Sequence, residues 1–137
     1  MGGRKLKITA DTNVLVRAAV QDHPEQSAHA AKVLQEASLV AIPLPVLCEF
    51  VWVLRRGYGM SVALIADALV RLMNCDNLLV NRPAVEAGLS VLGAGGDFAD
   101  GVIAYEGNRA GAEEFISFDK QAVAILQSQG GSARLLS

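Results

Sequence analysis

"LKITADTNVLVR", residues 6–17, carries the first sign of the fold. Residues 6–10 form a short strand that stops at Asp11. An apolar stretch of helical character, residues 12–20, follows at once, with Asp11 at its N-cap position. The same alternation continues outward. "DHPEQSAHAAKVLQEAS" (22–38) is a turn and a helix with Ala30, Val33, Leu34 and Ala37 on one face. "LVAIP" (39–43) is a second strand closed by Pro43. "PVLCEFVWVLRRGYG" (45–59) is a helix with Pro45 at its start and Gly57 and Gly59 at its end. "SVALIADALVRLMNC" (61–75) is a helix with a Ser N-cap, and "NLLVN" (77–81) a strand. "RPAVEAGLSVLGAGG" (82–96) and "DFADGVIAYEGNRAG" (97–111) are helices. "EEFISF" (113–118), "KQAVAILQSQG" (120–130) and "ARLLS" (133–137) complete the chain as strand, helix and short strand. Short apolar strands without polar alternation are covered on both faces. The pattern therefore predicts an α/β fold with a short parallel central sheet between helical layers.

The chain has 137 residues, which fits a single domain over 1–137 with residues 1–5 as a loose start. Hydrophobic residues make up 52%, enough for a core at this length. No apolar run reaches the ~18 residues of a membrane span. The start, "MGGRKLKITAD", has no apolar run of the kind a signal peptide carries. A formal net charge of −2 excludes binding to nucleic acid by bulk basicity, though not a local basic rim. Cys48 and Cys75 lie in apolar segments without metal-ligand spacing and are expected as buried thiols, in a cytoplasmic protein.

The acids fall where such a sheet collects ligands. Asp11 follows the first strand and Asp119 a late one, so both are expected at the carboxyl edge. Asp97 and Asp100 lie one turn apart at a helix start. Glu49 sits in "VLCEFVWVL", the most apolar run of the chain. A carboxylate buried there without a partner would cost several kcal/mol, so it either emerges to solvent or meets a cation. Taken singly, Asp11, Asp97 and Asp119 also read as helix caps, with Asp100 completing a capping-box-like pair. Taken together, converging carboxylates repel unless a hard divalent ion joins them. With no His or Cys in the set, Mg²⁺ or Mn²⁺ fits better than zinc. An ion so held polarises phosphoryl oxygens and activates water for phosphodiester hydrolysis.

"ITADTNVLVR", "VLCEFVWVL", "GGDFADGVIAYEGNRAG" and "FISFDK" occur in this order. Order and spacing resemble the PIN-domain ribonucleases, and among them the VapC toxins of bacterial toxin–antitoxin pairs. The resemblance extends from about Lys7 to Leu136. It implies a PIN-like three-layer α/β/α fold and an Mg²⁺-dependent endoribonuclease (Mn²⁺ also possible) acting on structured RNA such as tRNA or rRNA. It implies a catalytic quartet of Asp11, Glu49, Asp100 and Asp119, with Asp11 and Asp100 as the principal metal ligands. Asp97 would be auxiliary, capping its helix and so aiming Asp100. Thr12 and Asn13 would hold the Asp11 loop by hydrogen bonds. Gly101 stands where the similar helix more often has alanine, and Ser117 where threonine is more usual. The resemblance also implies a homodimer and a VapB-type antitoxin as partner. Surplus apolar surface on the two helices between Glu49 and Cys75 would line a partner groove or dimer interface. Trp52 is expected in the core or that groove. Arg17, Arg55, Arg56 and Arg109 are candidates for phosphate contacts, and His23 and His29 are expected at the surface. Two other classes compete. An aspartyl phosphatase would carry a second acid two residues after Asp11, where Asn13 stands. A non-catalytic α/β module binding RNA or protein would not require all four acids.

Overall fold

The computed structural model describes residues 5–137; most of the expected loose start, residues 1–4, lies outside the described residues. The chain divides into two compact units at Asn81 and Arg82.

The first unit runs β1 (Lys7–Thr9), α1 (Thr12–Ala19), α2 (Pro24–Glu36), β2 (Leu39–Ala41), α3 (Leu44–Trp52), a π-helical turn (Val53–Gly57), α4 (Val62–Met73) and β3 (Leu78–Leu79). The strands pair in parallel in the order β1-β2-β3, with Ile8 opposite Val40 and Val40 opposite Leu78. Parallel neighbours need crossovers, which α1–α2 and α3–α4 supply. Val40, Ile42, Leu15, Val16, Leu47, Phe50, Leu54, Ile65 and Leu69 are among this unit's buried apolar residues. Ser61 caps α4, its hydroxyl accepting from the Leu64 amide at 3.2 Å. Helix α2 departs from expectation. Val33 is exposed, and the helix's buried residue is Ser27, whose hydroxyl donates to the Val20 carbonyl at 2.9 Å. Asn77 Nδ2 bonds the carbonyls of Leu34 (2.8 Å) and Ala37 (3.0 Å), so polar ties secure the helix end where apolar burial is thin.

The second unit runs α5 (Arg82–Gly93), α6 (Phe98–Arg109), β4 (Phe115–Ser117), α7 (Lys120–Ser128) and β5 (Ala133–Leu135). Strands β4 and β5 pair in parallel, Phe115 opposite Ala133, with α7 as the crossover. Helices α5 and α6 meet at glycines. The Phe98 ring packs on Gly88, and Gly101 lies against the α5 backbone: a Cβ there would sit 2.8 Å from the Gly88 Cα and closer still to the Ala87 carbonyl oxygen. The α/β class with short parallel strands is as expected.

The thiols are not as expected. Cys75 is exposed, its Sγ donating weakly to the Arg71 carbonyl at 3.7 Å, and Cys48 is half-buried. Cys75 follows the last turn of α4, where the helix ends in solvent, so its apolar sequence neighbours do not cover it. Among the described residues no helix is long and apolar enough to cross a membrane.

Alanine at Gly101 gains helix propensity of up to about 1 kcal/mol. It also pushes Cβ into α5 backbone, which cannot rotate aside. Gly101→Ala should therefore destabilise the protein by about 1–3 kcal/mol net, read as a lower urea midpoint at unchanged m-value.

Candidate active site

In the first unit, the chain leaves β1 through Ala10, whose amide donates to the Ala41 carbonyl at 3.0 Å. Asp11 is extended (φ −84°, ψ 163°) and caps α1, one carboxylate oxygen accepting from the Thr12 amide at 2.7 Å. Thr12 is buried, with 7% of its surface exposed. Its hydroxyl donates to Oε1 of Glu49 on α3. One small residue thus links two acids that stand 38 positions apart in sequence. Glu49 itself is exposed, which resolves the conflict raised by its apolar neighbours: the carboxylate leaves the helix toward solvent and meets a hydroxyl. Asn13 is exposed and, among the described residues, makes no side-chain hydrogen bond.

In the second unit, Asp97, Asp100 and Asp119 are near enough to interact. Asp119 caps α7, Oδ1 accepting from the Ala122 amide at 3.1 Å. Its own amide donates to Ser117 Oγ at 3.0 Å, so the serine hydroxyl braces the turn that presents Asp119. Asp97 occupies the N-cap position of α6, but the expected side-chain cap does not form. Its charge is felt instead at Asp100, half-buried in the first helical turn. Burial first, then the negative charges of Asp97 and Asp119, push the Asp100 carboxyl above its ordinary value of 3.8. The shift runs against the helix N-terminus, which favours a negative charge.

The ion pairs Arg17–Asp22, Arg71–Asp67 and Arg134–Glu114 do not involve Asp11, Glu49, Asp97, Asp100 or Asp119. Arg17, a candidate for RNA phosphate, is thus engaged with Asp22, and it also donates to Gln26 at 2.7 Å and to Tyr58 at 3.3 Å. His23 and His29 are exposed, as expected, and His23 caps α2.

In each unit the acids offer carboxylate oxygens with no sulfur or imidazole, donors of the kind a hard cation takes. Among the described residues no three His, Cys, Asp or Glu side chains already form a metal-holding group.

A family model described as the PIN domain matches residues 8–125. The chain belongs to the PIN domain family. It is thereby a member of a nuclease family, and the match spans all four acids of the expected quartet. No curated protein matches the chain. Among solved structures, the PIN chain is similar to Mycobacterium tuberculosis VapC20, titled a sarcin–ricin loop cleaving toxin. The two are 20% identical with a TM-score of 0.42, over 86% of this chain and 94% of that one.

Sequence reasoning missed two residues beside the acids. Ser117 is marked in the sequence only as standing where threonine is more usual, and Gln121, in the first turn of α7, carries no sequence signal. Its Nε2 donates to the Gly95 carbonyl at 2.9 Å.

The raised Asp100 pKa has a definite sign. The folded chain holds this proton more tightly than the unfolded one, so stability falls as pH rises from 3.8 through the raised value. In metal-free buffer Asp100→Asn should unfold at higher urea than wild type at pH 7, with the gap closing as pH falls toward 3.8. Asp97→Asn should shift the Asp100 titration downward, followed by carboxyl ¹³C NMR.

Proposed function

We propose that this PIN protein is a metal-dependent endoribonuclease and the toxin of a VapC-type toxin–antitoxin pair, working in the cytoplasm on structured RNA such as tRNA or rRNA. The observation that carries the reading is the PIN match over 8–125, which includes Asp11, Glu49, Asp100 and Asp119. The raised Asp100 supports it: burial and the charges of Asp97 and Asp119 crowd negative charge at a place where a hard cation would relieve it.

On this reading residues 1–137 act as one domain and the quartet as one site. Asp11 and Asp100 hold Mg²⁺ or Mn²⁺, which when bound polarises a phosphoryl oxygen and lowers the pKa of a coordinated water. Glu49 and Asp119 would complete the pocket through waters, and either carboxylate could take the proton of a water that attacks phosphorus as the bond to the leaving RNA oxygen breaks. Thr12, by donating to Glu49, keeps that carboxylate aimed and leaves its second oxygen available. Ser117 does the same for Asp119 through its backbone. Asp97 adds negative charge beside Asp100 and so raises the pull on a cation. Asn13 serves as a polar contact at the rim.

Homodimerisation and an antitoxin of the VapB type fit the exposed apolar side chains of α3 and α4. Trp52 is 63% exposed, Leu64 56% and Val70 49%, so Trp52 is not core and all three await a cover.

With antitoxin-free protein, Mg²⁺ should permit discrete cuts in total RNA, EDTA should stop them, and Mn²⁺ should restore them. Asp100→Asn should cut more than about 100-fold more slowly, since loss even of an outer-shell partner costs 10–100-fold. Protein that binds neither ion and leaves every RNA intact would sink the reading. Thr12→Val, which keeps shape and removes the hydroxyl, should fold normally and lower the cleavage rate by about 10–100-fold.

A further inference from the structure

Asp97 and Asp119 stand on different elements of the second unit, the loop before α6 and the N-cap of α7. Two contacts join those elements. Gln121 Nε2 donates to the Gly95 carbonyl at 2.9 Å. One turn further along α7, Ile125 packs on Gly96 so closely that a Cβ there would meet its Cδ1 at 2.9 Å. The opposite side of the loop is anchored as well, the Gly96 amide donating to the Val91 carbonyl at the end of α5 at 2.9 Å. Gly95, with φ +98°, takes a left-handed turn that an L side chain would strain. The glycine loop is therefore held between α5 and α7, and the residue that leaves it is Asp97.

We infer that Gln121 is a positioning residue: its bond to the Gly95 carbonyl sets the spacing between the Asp97–Asp100 segment and Asp119, and with it the affinity of this acidic cluster for a divalent cation. The inference rests on the metal-dependent reading above. Gln121 is exposed, so losing its bond hands the Gly95 carbonyl to water at small cost in stability. Carboxylate geometry is less forgiving, because sites a fraction of an ångström too loose lose their ligand.

Gln129, after the last turn of α7, provides the control. It too is exposed and ties α7 to α5 through a carbonyl, Nε2 to Ser90 O at 3.2 Å, but no acid of the cluster neighbours it in sequence. Mn²⁺ binding, counted from the EPR signal of the free ion, is compared for wild type, Gln121→Met and Gln129→Met, each also melted in urea. The expected result is a Kd raised about tenfold in Gln121→Met alone. Hydrogen exchange adds a measurement without substitution: the Gln121 side-chain amide should be protected in the wild type. Equal Kd values for wild type and Gln121→Met overturn the inference, as does equal weakening in both variants or an unprotected Gln121 amide. A wild type that takes up no Mn²⁺ overturns the metal-site reading, and the inference with it.

Discussion

The mutual repulsion of Asp97, Asp100 and Asp119, three carboxylates held near one another in the second unit, is the constraint that its neighbouring contacts are built around. Asp97, Asp100 and Asp119 occupy helix starts, where exposed amides favour a negative charge. Even so, burial and mutual repulsion raise the Asp100 pKa. The helix termini therefore hold the carboxylates in place without neutralising them. On the metal-dependent reading proposed above, a hard cation would relieve that repulsion.

Small polar residues keep that arrangement rigid. Thr12 joins the Asp11 turn to Glu49, Ser117 braces Asp119, and Gln121 fastens the glycine loop that leads to Asp97. Each bond is worth about 1 kcal/mol in stability. Their effect on carboxylate position matters more, because Asp11, Asp97 and Asp119 stand where loops enter helices and Glu49 has a long side chain to orient. The glycines serve the same end. Gly101 lets α6 lie against α5 backbone, and Gly96 lets the loop lie against α7, so the acids project from packed supports.

Much of this was legible in the chain. Every expected strand and helix forms, because short continuous apolar runs, Pro at helix starts, and Ser or Asp caps are local signals. The acids stand out because carboxylates seldom interrupt apolar segments unless something satisfies them. Individual side-chain outcomes were less legible. An apolar stripe on α2 does not disclose that Val33 stays exposed, and an apolar neighbourhood does not disclose that Cys75 faces solvent. Burial belongs to what packs against a helix, and that partner is distant in sequence.

Residue order alone determined the alternation of strands and helices, the four motifs and the family they announce, because those depend on neighbours within a few positions. Tertiary structure decided which atoms meet. Asp97 has the sequence of a cap but makes no cap bond. Thr12, expected to steady its own loop, instead reaches across 37 positions to Glu49. Gln121 has no sequence mark at all. A hydrogen bond needs its partners within about 3 Å, and for residues far apart along the chain only the folded backbone sets that distance.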